Sequence, residues 1–532
     1  MNPNKYLDND YYTPIQVVLP VDYSILIRYD DPIYTFDEVM KRSDLIKYIK
    51  PKPSYSKGRK GFNPITMLKV ILFGFTDRGY ISLRELETAC RYDIRYMYLL
   101  RNEKKVPTHQ TFNNFIHNYL KDNIEKIFVE VNKYIFKKEN ISLETLLIDG
   151  TKLEANANKY TWVWKQSCIT NRDKLFKKIR IELNKMNEII MGCYMAYYDI
   201  KEVYSIEELE SILIDFQNKL NIDPSKFVKG KGKRKTELQR IYEKMERYIK
   251  KLKEYAEHIE ICGEKRNSYS KTDKDATFFH CKRDYMGNDQ LLPSYNIQFG
   301  VIEEYIAISD VYQYGADSDC FEPLIEKFKE YYGIYPKKPV ADAGYGNYNN
   351  YLYCKDKNMG LYMKFSMYNK LTKDKKYRDN PFKVHNFSKN EHGELVCPNN
   401  KVFKLVKIRP VKGNKYGRTE EIYECEDCTG CPFRTKCHNS KNNRRININQ
   451  ELTDLHQEVI DNLNSEEGIE LRKLRSAQVE GTIGVLKYDR GYKRIVRRGI
   501  KNVLLEVLLV SIGYNLYKYH NKKLRNKRTV VQ

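Results

Sequence analysis

Between residues 238 and 259 the apolar side chains Leu238, Ile241, Met245, Tyr248, Leu252, Tyr255 and Ile259 recur at alternating steps of three and four. Such a seam predicts a long helix packed lengthwise on another helix. Leu175, Ile179, Met186 and Ile190 make a weaker stripe upstream, and Lys229-Gly230-Lys231-Gly232-Lys233 separates the last helix from those before it. Residues 165–262 are highly charged and poor in strand formers, so an antiparallel coiled-coil hairpin is expected there. On either side the pattern changes to short apolar runs. One ends at Asp149, others cover 276–279, 295–301 and 305–308, another ends at Asp342, and the last covers 361–365. Helical periods at 320–332 and 348–357 fall between them. This order predicts a mixed α/β sheet interrupted by insertions.

Nearer the start, Pro64 suits the first turn of a helix over 65–75. Ser82 and Glu85 have capping-box spacing, and Thr108 can cap a helix carrying Phe112, Phe115 and Ile116. Several short helices in a row resemble the helix-turn-helix kind. DNA-end recognition and a plain helical bundle are both open readings of it. Residues 1–60, rich in Tyr and Pro and including Pro51 and Pro53, are expected to form an irregular arm. Long helices are expected over 466–487 and 502–519, with a basic, frayed tail from Asn521. The most apolar stretch, 503–514, is short and contains Glu506, so it reads as a buried helix rather than a membrane span. Residues 1–12 carry Asp8 and Asp10 and lack the apolar core of a signal peptide.

Charge narrows the function. Among 532 residues, 94 Lys and Arg oppose 70 Asp and Glu, a net +24. Such an excess points to a polyanionic partner, and nucleic acid is the first candidate. A basic surface that serves only solubility is the plainer reading. At this length two to four structural units are expected.

Against that basic background three carboxylates stand out. Leu146-Leu147-Ile148-Asp149-Gly150 and Val340-Ala341-Asp342-Ala343-Gly344-Tyr345 are apolar runs that deliver an Asp and then a Gly. Each alone reads as a turn or a helix cap. Glu480 lies in a basic helix, with Lys487 two turns further along the same face. Arg472, Arg475, Arg490, Lys493, Arg494, Arg497 and Arg498 crowd the region. Hard oxygen ligands suit Mg²⁺ or Mn²⁺, and two such ions about 4 Å apart assist phosphodiester chemistry. Gly481 and Gly484 each cost a helix about 1 kcal/mol relative to Ala, which fits a close backbone or DNA approach.

The twelve cysteines are uneven. Cys425, Cys428, Cys431 and Cys437 crowd together, with Cys397 some way before them. Close thiolate pairs favour tetrahedral Zn²⁺ over disulfides and a reduced compartment. Two ligand sets fit: Cys397 with Cys428, Cys431 and Cys437, or the four clustered cysteines. His438 is an outside candidate, and free thiols are the plain alternative.

With these motifs in place, the chain resembles bacterial insertion-sequence transposases of the DDE superfamily. The resemblance covers roughly residues 60–520. It rests on Ile148-Asp149-Gly150-Thr151-Lys152-Leu153-Glu154-Ala155-Asn156, Lys271-Thr272-Asp273-Lys274-Asp275-Ala276, Tyr295-Asn296-Ile297-Gln298, Ala341-Asp342-Ala343-Gly344-Tyr345, Val479-Glu480-Gly481, Arg498-Gly499 and Asn515. It implies an α/β, ribonuclease H-like mixed sheet with a helical N-terminal domain, a coiled-coil helical insertion and a small zinc-ribbon-like insertion. The implied division is 1–60 arm, 61–135 helical DNA-binding domain, and 136–164 with 263–377 and 446–520 as catalytic domain. Residues 165–262 and 378–445 are then the insertions, and 521–532 a basic tail.

The resemblance further implies Asp149, Asp342 and Glu480 as a Mg²⁺- or Mn²⁺-binding triad for DNA cleavage and strand transfer. Lys487, Arg475, Arg494 and Arg498 are expected at the DNA. Lys487 matches the lysine of the family's Tyr–Arg–Glu–Lys signature. The signature Arg precedes the Glu by four residues; here that position is Ser476, with Arg475 one earlier, and the Tyr position is Lys473. Gly484 stands where relatives carry Phe. The resemblance favours Cys397, Cys428, Cys431 and Cys437 as zinc ligands, leaving Cys425 spare. Asp273 and Asp275 are expected to be structural. The implied partners are double-stranded DNA, as terminal repeats and target, and a second copy of the chain, with no membrane and a cytoplasmic, nucleoid-associated location. The rival readings are a nuclease that cuts without joining and an inactive, zinc-bearing DNA-binding descendant.

Overall fold

The structure, a computed structural model, describes residues 22–49, 61–101, 103, 105–230, 232–281 and 289–531. Residues 1–21 and 50–60, with Pro51, Pro53 and the first twelve positions, lie outside the described residues. The chain divides into two compact units. The first draws on 1–141, 489–491 and 508–532, the second on 142–488 and 492–507.

The first unit is helical. Helix α1 (Pro32–Arg42) starts where the Asp31 carboxylate accepts the Ile33 N–H at 2.9 Å and Pro32 presets the first turn. This corrects the expected irregular arm: Ile33, Phe36 and Val39 are buried at helical spacing within it. Helix α2 (Pro64–Arg78) is capped by Asn63, and α3 (Leu83–Tyr92) has both hydrogen bonds of the Ser82/Glu85 capping box. Then come α4 (Ile94–Leu100), α5 (His109–Phe115), capped by Thr108, and α6 (Ile124–Glu139). Phe36, Phe73, Tyr96, Phe112 and Phe128 fill the core.

The closing helix, Ile500–Val531, belongs to this unit from residue 508 onward. Asn515 Nδ2 donates to Asn132 Oδ1 at 2.8 Å, and a Cβ on Gly513 would fall 2.4 Å from the Phe75 carbonyl oxygen. The helix therefore neither ends at residue 519 nor belongs wholly to the sheet-bearing unit. Its segment Ile500–Asn526 is long and apolar enough to cross a membrane, but 72% of its apolar window is buried inside the protein.

The second unit is built on a six-stranded mixed sheet. Strand β1 (Thr145–Glu154) leads to a short ribbon strand β2 (Trp162–Trp164), which passes directly into helix α7 (Lys165–Tyr194). Helices α8 (Ile206–Lys219) and α9 (Glu237–Cys262) follow, and β3 (Ser268–Ser270) pairs antiparallel with β2. That ribbon roots α7 and α9 as an antiparallel pair. Leu175, Ile179, Met186 and Ile190 pack with Ile241, Met245 and Leu252 as the two stripes require. Leu209, Leu213 and Phe216 of α8 join the same core, so three helices share the seam rather than two.

The sheet resumes with β4 (Thr277–His280), β5 (Leu291–Ile302) and β6 (Tyr305–Tyr312). Helix α10 (Ser318–Tyr332), β7 (Lys338–Ala341), α11 (Tyr348–Asp356) and β8 (Tyr362–Met363) complete it. β1 is central. It runs antiparallel to β5 and parallel to β7, which is parallel to β8; β4 and β6 pair with the far edge of β5.

After short helices α12 (Tyr368–Thr372) and α13 (Lys375–Arg378) come the paired strands β9 (Ser388–Lys389) and β10 (Leu395–Val396). A three-stranded antiparallel sheet then forms from β11 (Phe403–Pro410), β12 (Thr419–Cys425) and, past α14 (Arg434–Cys437), β13 (Arg445–Ile448). Helix α15 (Gln450–Asn464) leads to α16 (Glu466–Arg475), which packs on β7 and β1.

Candidate active site

Asp149 lies in the middle of β1, not at its end as the sequence suggested. The antiparallel ladder to β5 continues to Glu154↔Ser294, while the parallel ladder to β7 stops at Leu147↔Val340. Asp149 and Asp342 each stand two residues past that last rung, at matching positions on neighbouring strands. The apolar run stops at Asp149 because its β7 neighbour ends there, although its β5 neighbour does not. Asp342 Oδ1 accepts the Gly344 N–H at 2.8 Å. A Cβ on Gly344 would stand 3.0 Å from Asp342 Oδ1 and 3.5 Å from Asp317 Oδ2, so two carboxylates border this glycine.

Under these residues runs a buried polar chain. The Tyr345 hydroxyl donates to Gln298 Oε1, and Gln298 Nε2 donates to Asn296 Oδ1 at 2.9 Å and Asp317 Oδ1 at 3.1 Å. Asn296 Nδ2 donates to the same Asp317 oxygen at 2.7 Å. Burial, then the charges of Asp317, Asp149 and Asp342, hold the Tyr345 pKa well above the usual phenol range. Tyr345 is thus a neutral donor. Gly150 faces Gln298 across the ladder, and a Cβ there would lie 2.2 Å from Gln298 Nε2. Sequence reasoning quoted Asn296, Gln298 and Tyr345 without assigning them roles, and missed Asp317. The usable signal was two amides at strand spacing in an otherwise buried strand, since buried amides need partners.

Glu480 arrives on the continuation of α16. Ser476–Glu480 and Val485–Asp489 are π-type turns on either side of Gly481–Gly484. A π turn absorbs one extra residue within a helix. That accounts for an arginine five, not four, residues before the Glu. Arg475 Nη1 is 3.2 Å from Asp149 Oδ2, and Arg475 Nη2 is 3.2 Å from Glu480 Oε1. The guanidinium therefore stands between the two carboxylates, with only 13% of its side chain exposed.

The other predicted basic residues follow β1 outward. The Lys487 ammonium donates to Thr151 Oγ1, Arg494 Nη2 is 3.2 Å from Glu154 Oε1, and Arg498 Nε donates to the Asn156 carbonyl at 2.6 Å. Arg475 and Lys487 thus meet Asp149 and Thr151 on one face of β1, whereas Arg494 meets Glu154 on the alternate face and Arg498 meets the backbone beyond it. Lys364, absent from the sequence reading, adds to the cationic surroundings. Burial, then repulsion from Arg472 and Arg475, pulls its pKa below the usual lysine range.

Asp273 and Asp275 do not face this site. Asp273 Oδ1 accepts the Gly499 N–H at 3.3 Å and Asp275 Oδ2 accepts the Ile500 N–H at 2.9 Å, so the pair caps the closing helix. Buried Glu506 accepts the N–H groups of Val496 and Arg497 and fixes the loop between Arg494 and Arg498. A Cβ on Gly481 or Gly484 would meet nothing within 4 Å. Protein packing is therefore not what requires these glycines.

Cys397, Cys425, Cys428, Cys431 and Cys437 line one small cavity with His438 and Arg444. Arg444 Nη1 donates to Cys437 Sγ at 2.9 Å. Both ring nitrogens of His438 are buried without a hydrogen-bond partner. Among the described residues, no three His, Cys, Asp or Glu side chains gather tightly enough to hold a metal ion, at the triad or at the cysteines.

No curated protein and no solved structure matches the chain. Two family models do. One described as a transposase domain (DUF772) matches residues 21–118, the stretch of α1–α5, and one described as a transposase DDE domain matches residues 396–520. The second match contains Glu480, Lys487, Arg475 and the five clustered cysteines; Asp149 and Asp342 lie outside both. A match to a transposase domain and a match to a transposase DDE domain in one chain indicate an insertion-sequence transposase of the DDE superfamily.

Proposed function

We propose that this chain is a DNA transposase that binds the ends of its element, cuts them and joins them to a target. The reading assigns residues 142–164, 263–377 and 446–507 to a ribonuclease H-like catalytic core, with 165–262 as a helical insertion. Asp149, Asp342 and Glu480 are its Mg²⁺- or Mn²⁺-binding triad. The observation that carries it is the alignment of Asp149 with Asp342 on neighbouring parallel strands, with Glu480 drawn towards Asp149 by Arg475. The donor set fits a hard divalent cation. All three groups are carboxylates, and a guanidinium already occupies the negative field between two of them.

Bound divalent ions would polarise the phosphodiester oxygens and lower the pKa of water. In the first reaction a water oxygen bonds to phosphorus, the bond to the 3′ oxygen breaks, and that oxygen leaves as a 3′-hydroxyl. In the second, this hydroxyl attacks a target phosphodiester, loses its proton and displaces the target's own 3′ oxygen. Arg475, released from the carboxylates, and Lys487 lie where adjoining phosphates would pass. Arg494 and Arg498 stand at and beyond the end of β1, and the open space beside Gly481 and Gly484 leaves room for a strand. Because two ends must be brought together, the active form is an oligomer on DNA. The setting is cytoplasmic, at the nucleoid.

The cysteine cavity is assigned a structural Zn²⁺ held by Cys397, Cys428, Cys431 and Cys437. That these four cysteines line one cavity, with an N–H donor from Arg444 to Cys437 Sγ, supports the assignment. Its role is to fold the insertion. The deciding experiment incubates the purified protein with a labelled DNA carrying its own element ends and Mg²⁺, beside Glu480→Gln. Boundary cleavage plus joined product, both lost in the variant, supports the reading. Cleavage without joining makes it a nuclease, and binding without cleavage by either protein makes it an inactive DNA-binding descendant.

A further inference from the structure

The chain has two tryptophans, and both sit on β2, just past the end of β1. Tyr160 is 67% exposed and Trp162 49%. Their rings meet edge to face with centroids 6.4 Å apart, and the Lys159 ammonium lies 5.2 Å from the Tyr160 ring centre. Trp162 also meets the buried Phe278 edge to face with centroids 6.5 Å apart, which leaves about half of its side chain in water, while Val163 is buried on the opposite face of the ribbon.

The rings are tied to Arg494 and Arg498. Arg498 Nε donates to the Asn156 carbonyl, and Asn156 Nδ2 donates to the Val496 carbonyl at 2.8 Å. Two residues on, the Asn158 N–H donates to Thr272 Oγ1 at 2.8 Å, and Asn158 Oδ1 accepts the Tyr160 N–H at 2.9 Å. The segment that carries Tyr160 and Trp162 is thus fixed to the loop that carries Arg494 and Arg498. Cations that meet the backbone beside exposed aromatic faces are the arrangement that holds single-stranded nucleic acid. The cations follow phosphates, and the rings stack unpaired bases of any identity. A paired base presents no free face, so a continuous duplex would gain nothing from them.

We propose that Tyr160 and Trp162 form a stacking site for an unpaired nucleobase of DNA whose phosphates meet Arg494 and Arg498. The inference rests on the DNA reading given above, but it concerns a different contact. The test uses the full-length protein without divalent metal, so that nothing is cut. Its probes are a blunt 20-base-pair duplex and the same duplex with a tail of five unpaired thymidines, read by anisotropy and tryptophan emission. The tailed probe is expected to bind more tightly. Trp162→Ala should weaken the tailed probe roughly five- to hundred-and-fifty-fold, the worth of one lost stacking contact, and the blunt probe less than two-fold. Trp162→Phe, which keeps a ring, should restore most of that loss. The tailed probe should quench emission in Trp164→Phe but not in Trp162→Phe. Equal affinity of Trp162→Ala and the parent protein for the tailed probe overturns the proposal. So does an equal loss on both probes, which would mark a general or folding effect. Failure of the parent protein to bind either probe instead removes the DNA reading, and this inference with it.

Discussion

Arg475→Ala removes a cation that stands 3.2 Å from both Asp149 and Glu480. A full charge pair at 4 Å is worth about 4 kcal/mol at an effective dielectric of about 20. Glu480 has 54% of its side chain exposed, so solvent screens its share, whereas Asp149, at 20%, is held more strongly. A net hold of about 1.5–3 kcal/mol follows, between the full Coulomb figure and the value of an exposed ion pair. A divalent ion entering this field must displace the guanidinium. Without it, the apparent Mn²⁺ affinity should rise roughly ten- to hundred-fold, at about 1.4 kcal/mol per factor of ten. The metal-free variant should melt at a lower temperature, because its two carboxylates are left facing each other. Free Mn²⁺ is counted by electron paramagnetic resonance during titration, with thermal melts run beside it. A Mn²⁺ affinity equal to or below that of the parent protein would refute the idea that the guanidinium and the ion compete for one place.

Further expectations concern the neighbouring packing. Gly150→Ala drives a methyl group into Gln298 and breaks a buried network, so stability should fall by about 1–3 kcal/mol in urea titrations, with cleavage reduced more than DNA binding. Gly481→Ala and Gly484→Ala meet open space and should stabilise the fold by up to about 1 kcal/mol each; weaker DNA binding in the same variants would mark a close strand. His456 stacks on Phe365 with ring centroids 3.9 Å apart, and burial, then the charge of Arg418, pulls its pKa from 6.5 to about 4. The unfolded chain therefore takes up this proton first, and stability should drop as pH falls from 6.5 to about 4, by at most about 3 kcal/mol; His456→Phe should flatten that slope. Purified protein should carry one Zn²⁺ per chain, Cys428→Ser should lose it, and a metal content near zero in the parent protein would remove the zinc assignment.

Helix caps were the most legible features. Ser82 with Glu85, Pro64 and Thr108 act where the sequence places them, because capping depends on a few adjacent residues. The heptad stripes were legible for the same reason. The third helix of that core was not, since the 209–216 pattern does not name its partners. Asp149 and Asp342 could be picked out as carboxylates ending apolar runs. Their register could not, because it depends on where two strands separated by nearly two hundred residues stop pairing. The one-residue offset of Arg475 from the family signature looked like a mismatch until the π turn over Ser476–Glu480 gave it a geometry. Asp317 left no mark in the sequence. It occupies a helix-cap position, yet its side chain makes no capping bond and turns to Asn296 and Gln298 instead. The Tyr- and Pro-rich start hid α1, although Ile33, Phe36, Val39 and Met40 within it are buried.

The central claim is that Asp149 holds the divalent ion that supports cleavage. Asp149→Cys tests it most directly, because a thiolate binds Mg²⁺ poorly and the softer Mn²⁺ better. Cleavage of element-end DNA should disappear in Mg²⁺ and return in Mn²⁺, while the parent protein works in both. Full cleavage by Asp149→Cys in Mg²⁺ would contradict the account.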